Sequence, residues 1–151
     1  MERYHYTESG LDTVFIEGLV PTIDEMGEEV IQIPHVIGLH KCIAHALLNQ
    51  AGGLKSKDIR FLRSELGMTQ AELAKVIHKD SQTIGRWERG ESPIDETAEV
   101  VLRLLAAEKL DIKTDISVTD MAEKCLPSAK VSLIVIDGRE PANYHVIDVA
   151  A

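Results

Sequence analysis

The sequence predicts an α+β protein: an all-helical centre flanked by a small N-terminal β/α segment and a C-terminal β-hairpin. Three observations carry this. Residues 69–90, TQAELAKVIHKDSQTIGRWERG, read as helix, tight turn, helix. β-formers cluster near both ends, in RYHYTE, TVFIE and KVSLIVI. The composition, 44% hydrophobic and 27% charged over 151 residues, suits a packed globular core.

The elements follow in order. Residues 3–8 and 13–17 flank the turn signal Ser9-Gly10-Leu11-Asp12 and read as a hairpin. Residues 29–33 read as a third strand ending before Pro34. Between 37 and 51 the apolar positions Leu39, Ile43, Ala46, Leu47 and Ala51 recur with a helical period, and Gly52-Gly53 closes that helix. A helix over 56–66 has Ile59, Leu62 and Leu66 on one face and Gly67 after its end. Thr69 and Glu72 form a capping box for a helix running to Ile77. Asp80 caps the next, which ends at Gly90. Pro93 and Asp95 open another, where Val100, Val101, Leu104 and Leu105 make a wide apolar stripe, core on one edge and with room for a dimer contact. A short helix between Asp115 and Leu126 stops at Pro127. The run 130–136 is the strongest strand, and 144–149 pairs back on it across Asp137-Gly138. These elements divide into regions 1–54, 55–110 and 111–151.

Charge is distributed unevenly. The net charge is −9. Residues 1–54 hold 2 Lys/Arg against 8 Asp/Glu, residues 55–110 hold 10 against 10, and residues 111–151 hold 4 against 7. A neutral middle can still present a basic face to phosphates, whereas acidic ends favour basic partners or simply aid solubility.

In the central pair of helices, Leu73, Ala74 and Ile77 from the first meet Ile84 and Trp87 from the second, so Trp87 is expected in the core. The outward positions of the second helix are Ser81, Gln82, Gly85, Arg86 and Arg89. Gln bonds adenine N6 and N7, and Arg bonds guanine O6 and N7, in the major groove. Gln82 and Arg86 are spaced i, i+4 and project from one face. Gly85 between them lets the helix sit deep in a groove. The helix N-termini offer N–H groups to phosphate, with Gln70 beside one of them.

The motifs L-G-M-T-Q-A-E-L-A and T-I-G-R-W-E-R-G make residues 56–105 resemble helix-turn-helix repressors of the phage-repressor (Xre) type. The resemblance implies base contacts by Ser81, Gln82 and Arg86, and phosphate contacts by Gln70 and Thr83. It also implies a structural ion pair between Arg63 and Glu88. Proteins of that type bind palindromic operators on double-stranded DNA as homodimers. The chain departs from the pattern at His78, where the turn often has Gly, and at Lys79, where an apolar residue is usual. Lys79 and Arg89 are candidates for phosphate contact, or else solvated helix charges.

The N-terminal YHYTESGLDTVFIEG and the later GLHKCIAHALL are similar to antitoxins of the MqsA/YgiT type. That similarity implies capture of a cognate toxin and autoregulation of an operon. It does not extend to zinc: paired CxxC motifs are missing, and Cys42 cannot build a four-thiolate site. His35, His40, Cys42 and His45 read as surface or packing residues, so no metal and no cofactor are expected. Cys42 and Cys125 read as two reduced thiols of a cytoplasmic protein. No apolar run nears the ~18 residues that span a bilayer, and the polar N-terminus carries no signal-peptide core. No nucleophile–base set or Gly-rich phosphate loop appears, so an enzyme is not expected. The expectation is a sequence-specific repressor that is also an antitoxin. The alternative is a stand-alone regulator whose flanks sense a ligand or dimerise.

Overall fold

The computed structural model describes residues 2–113, 117–125 and 133–147. They form two compact units, Met1–Ile43 with Ser132–Ala151, and Ala44–Val131.

The first unit is built on a four-stranded sheet ordered β1-β2-β5-β6, from Arg3–His5, Val14–Glu17, Ile134–Asp137 and His145–Ile147. β1 and β2 pair antiparallel with Tyr4 opposite Ile16, as the hairpin signal predicts. The turn between them contains a short 3-10 stretch, Thr7–Ser9, closed by Gly10 in the left-handed region. β5 and β6 also pair antiparallel, with Ile136 opposite Val146.

β2 and β5 pair in parallel, Val14 with Ile134 through Glu17 with Asp137. The two ends of the chain thus share one sheet, which the separate N-terminal segment and C-terminal hairpin of the sequence reading do not anticipate. The reason for β5's apolar character follows. Ile134, Val135 and Ile136 are all buried, as in a strand covered on both faces. Gly138 just beyond it donates its N–H to the Glu17 carbonyl at 2.7 Å. A Cβ there would lie 2.5 Å from Ile16 Cγ2 and 3.2 Å from that carbonyl oxygen, so any side chain would force its neighbours to shift.

A second, two-stranded sheet joins β3 (Thr22–Ile23) to β4 (Glu29–Val30). β3 was not expected, and β4 is shorter than the predicted 29–33. α1 runs from Val36 to Leu48. In its first half Leu39 and Ile43 are buried, and the His40 ring and the Tyr6 hydroxyl are 2.8 Å apart.

The second unit holds the last turn of α1 and the helices α2 (Ser56–Glu65), α3 (Gln70–Ile77), α4 (Ser81–Glu88), α5 (Glu96–Lys109) and α6 (Val118–Lys124). The N-caps are as expected: Thr69 with Glu72, Asp80 and Asp95. The helix predicted over 115–126 is shorter, and Ser117 caps it. Predicted strand residues 130–132 and 148–149 lie outside the described residues.

The wide stripe on α5 resolves differently from its prediction. Its buried row is Ala98, Leu102 and Ala106, together with Glu99 and Arg103. Val100, Val101 and Leu105 are only half-buried, and Leu104 is exposed. Arg103 is fully buried and pairs with Glu99 at 2.8 Å. It donates to the carbonyls of Leu48 and Gln50 at 3.1 and 2.9 Å, closing the C-terminal end of α1. The other Glu99 oxygen accepts from the Leu54 N–H at 3.1 Å. A buried charge needs this degree of pairing to be tolerated.

Candidate nucleic-acid interface

The site is made by α3, the turn after it, and α4. The Thr69 hydroxyl accepts from the Glu72 N–H at 3.1 Å, and the Glu72 carboxylate accepts from the Thr69 N–H at 3.2 Å. This reciprocal cap fixes where α3 starts. His78 ends α3 in the left-handed region, φ 57° and ψ 45°, and its conformation makes the turn. A glycine would adopt it without strain; histidine does so at modest cost.

Asp80 then starts α4. Its carboxylate accepts from the Thr83 N–H at 2.8 Å and from the Thr83 hydroxyl at 3.0 Å. Those bonds hold the Asp80 carboxyl below its ordinary range. Inside the corner, Leu73, Ala74, Ile77, Ile84 and Trp87 are buried together.

An ion pair ties α2 to α4. Arg63 donates from Nε and Nη2 to the two Glu88 oxygens at 2.6 and 2.8 Å, and from Nη1 to the Met68 carbonyl at 3.0 Å. The Glu88 side chain is 5% exposed. Two parallel bonds fix the orientation of both side chains, and they raise the Arg63 pKa. Gln70 adds a third element by donating to Glu88 Oε1 at 3.3 Å. The tip of α3 and the C-terminal turn of α4 are thereby held in one register.

This frame leaves one face outward. Gln70, Ser81, Gln82, Gly85, Arg86 and Arg89 line a shallow cleft of about 260 Å³. Ser81, Gln82, Arg86 and Arg89 are exposed. Among the described residues, no hydrogen bond or ion pair engages the side chains of Gln82 and Arg86. One has both donor and acceptor and the other five donors, free for an incoming partner.

Lys79, Thr83 and Arg89, by contrast, are engaged. Lys79 pairs with Asp95 at 2.7 Å, and this bond is the main reason the Asp95 carboxyl titrates low. The Thr83 hydroxyl proton is directed at Asp80. Arg89 pairs with Glu91 at 3.0 Å and crosses above Gly85, where a Cβ would lie 2.8 Å from its Nη1. Sequence reasoning overlooked Asp95 and Glu91 as partners of these cations. Glu91 lies two residues from Arg89, a spacing that invites such a pair, whereas the Lys79–Asp95 contact crosses a loop and leaves no local signal.

Residues 59–111 match the helix-turn-helix family model. The match takes in α2 from Ile59, the α3–α4 pair and all of α5, about a third of the chain. No curated protein and no solved structure matches the chain. Residues 59–111 are therefore a helix-turn-helix domain, a domain type that is DNA-binding and regulatory. The N-terminal third lies outside the matched span.

Away from the helix-turn-helix, the histidines singled out in the sequence do not gather. Among the described residues no group of three His, Cys, Asp or Glu side chains is placed to hold a metal ion. Burial pushes the Cys42 thiol up to about 11 and is the main cause that takes Cys125 up to about 12. Both therefore stay protonated and weakly nucleophilic at neutral pH. Among the described residues no helix is long and apolar enough to cross a membrane.

Proposed function

We propose that this protein is a sequence-specific transcriptional repressor that reads the major groove of its operator with α4. The carrying observation is the pair Gln82 and Arg86, one turn apart on an exposed face, with no hydrogen bond or ion pair engaging their side chains among the described residues. Ser81 completes the base-reading set. Gln70 and Arg89 border the same cleft and serve the flanking phosphates. Lys79 and Thr83 reach phosphate by exchanging Asp95 and Asp80 for the DNA backbone, two competing carboxylates that would temper non-specific binding. The Arg63–Glu88 pair and buried Trp87 keep α4 at a fixed angle to α2 and α3.

The protein acts as a homodimer on a palindromic operator. The half-exposed strip Val100, Val101, Leu104 and Leu105 supports this, because these positions share one face of α5. The half-sites would be about one helical turn apart, ~34–36 Å. The antitoxin role, with autoregulation of its own operon, rests on the N-terminal motif similarity and on the acidic first 54 residues.

Fluorescence anisotropy with DNA from upstream of the protein's own gene tests the reading. The expected outcome is specific binding that weakens steeply with salt, by counterion release at the contacted phosphates. Equal, weak binding to that DNA and to a scrambled duplex would refute it.

A further inference from the structure

The β3–β4 hairpin and its flanks present large apolar side chains that stand exposed among the described residues. Val20, Ile23 and Met26 are 78%, 75% and 87% exposed, and Ile31 is 39% exposed. All four fall in one stretch of twelve residues, Val20 to Ile31, that contains the hairpin, and scattered single exposures need no explanation whereas such a concentration does. The exposure is not a consequence of a loose turn. Asp24 accepts at Oδ1 from the N–H groups of Met26 and Glu28, at 2.9 and 2.8 Å. Its own N–H donates to the Glu28 carbonyl at 2.9 Å, and the Gly27 N–H returns to the Asp24 carbonyl at 3.0 Å. Gly27 takes φ 79°, which closes the turn. The tip is built, and it holds Met26 outward.

Charge decides what covers this surface. The segment 19–35 contains Asp24, Glu25, Glu28 and Glu29 and no Lys or Arg. A second copy would set four carboxylates against four, and nucleic acid or an anionic bilayer would be repelled. Electrostatic complementarity calls for a basic surface, and the apolar side chains call for a hollow to receive them.

The geometry points to the β3–β4 hairpin as the docking surface for a basic protein, with Ile23 and Met26 inserted into an apolar hollow rimmed by Lys and Arg. This deepens the antitoxin part of the proposed function and is independent of the operator reading. Met suits the role because its flexible thioether adapts to an irregular hollow.

The test uses the full chain co-expressed with the protein encoded by the adjoining reading frame, the pair being followed by size-exclusion chromatography and titration calorimetry. The expectation is a basic partner that co-elutes with the wild type. Ile23→Ser with Met26→Ser should weaken that complex at least ten-fold while leaving the melting temperature and DNA binding unchanged. Glu25→Gln with Glu28→Gln and Glu29→Gln should weaken it at low salt and flatten its salt dependence. No complex with the wild type, or full affinity in the Ile23/Met26 variant, would overturn the assignment. So would a wild-type homodimer that the Ile23/Met26 variant converts to monomer, since that makes a second copy the occupant. Arg86→Ala must weaken operator binding yet keep the partner, so failure of one site is read separately from failure of the other.

Discussion

Arg63 illustrates how much of the DNA-reading face depends on a residue that faces away from it. Its guanidinium serves both oxygens of a nearly buried Glu88 and the Met68 carbonyl, so Glu88 Oε2 and that carbonyl lose their donor when it is removed, and Glu88 Oε1 keeps only the longer bond from Gln70. Charged hydrogen bonds are worth about 1.5–3 kcal/mol each, and an orphaned buried carboxylate carries a desolvation penalty besides. Arg63→Ala should therefore destabilise the helix-turn-helix by about 2–4 kcal/mol, on the scale for losing one partner of such a pair after partial solvent access. Urea unfolding followed by the fluorescence of Trp87, the chain's one tryptophan, measures it. Arg63→Lys should recover only part, because an ammonium cannot make the two-pronged contact. Residue by residue, the face was legible where chemistry is local. Thr69, Asp80 and Asp95 announce helix starts, and the i, i+4 spacing of Gln82 and Arg86 puts them on one face. The Lys79–Asp95 pair was not legible, because an exposed cation's choice between solvent and a carboxylate sixteen residues on depends on the path of the chain between them, whereas the Arg89–Glu91 pair had a local spacing that was passed over.

Among the elements, β5 is the one whose partner the sequence hides. Its run of β-formers identifies a strand, and the following turn identifies the hairpin with β6. Its parallel partner β2 lies more than a hundred residues earlier, and no periodic pattern encodes a pairing at that distance. Gly138 is the nearest thing to a record of it, since its missing side chain makes room for Ile16 and the Glu17 carbonyl. Gly138→Ala should cost about 1–3 kcal/mol as an overpacked contact. Faster amide hydrogen exchange across Ile134–Asp137 is the expected signature, and unchanged protection would show that the β2–β5 contact has room to spare. The α5 stripe is the opposite case. Val100, Val101, Leu104 and Leu105 have the right period, yet the buried row is one step around the helix, where small Ala98 and Ala106 admit close packing and Arg103 is drawn in by the α1 carbonyls. Hydrophobicity alone ranks those four above Ala98, Ala106, Glu99 and Arg103, which are buried with Leu102.

For the whole molecule, the acid is unevenly shared, and this orders the functions proposed. A net charge of −9 opposes non-specific attraction to DNA, so affinity must come from a few well-placed contacts on a neutral centre. Doubling those contacts in a dimer is the economical route, and the half-exposed edge of α5 is the surface proposed for it. Leu104→Lys should shift the protein toward monomer in sedimentation velocity and weaken operator binding at least ten-fold, while helical content by circular dichroism stays unchanged. A dimer that persists in this variant would place the contact elsewhere. The two-unit organisation was not legible as such, because composition separates the acidic ends from the centre but says nothing of those ends sharing a sheet.

The central claim is that Arg86 reads a base. Its most direct test replaces each base pair of the bound DNA in turn and measures affinity for the wild type and for Arg86→Ala. The wild type should show a guanine in each half-site whose replacement costs about 1–3 kcal/mol, the value of one bidentate contact. In Arg86→Ala the penalty at that position should vanish while the penalties at other positions persist. Discrimination at every position that survives Arg86→Ala unchanged would contradict the account.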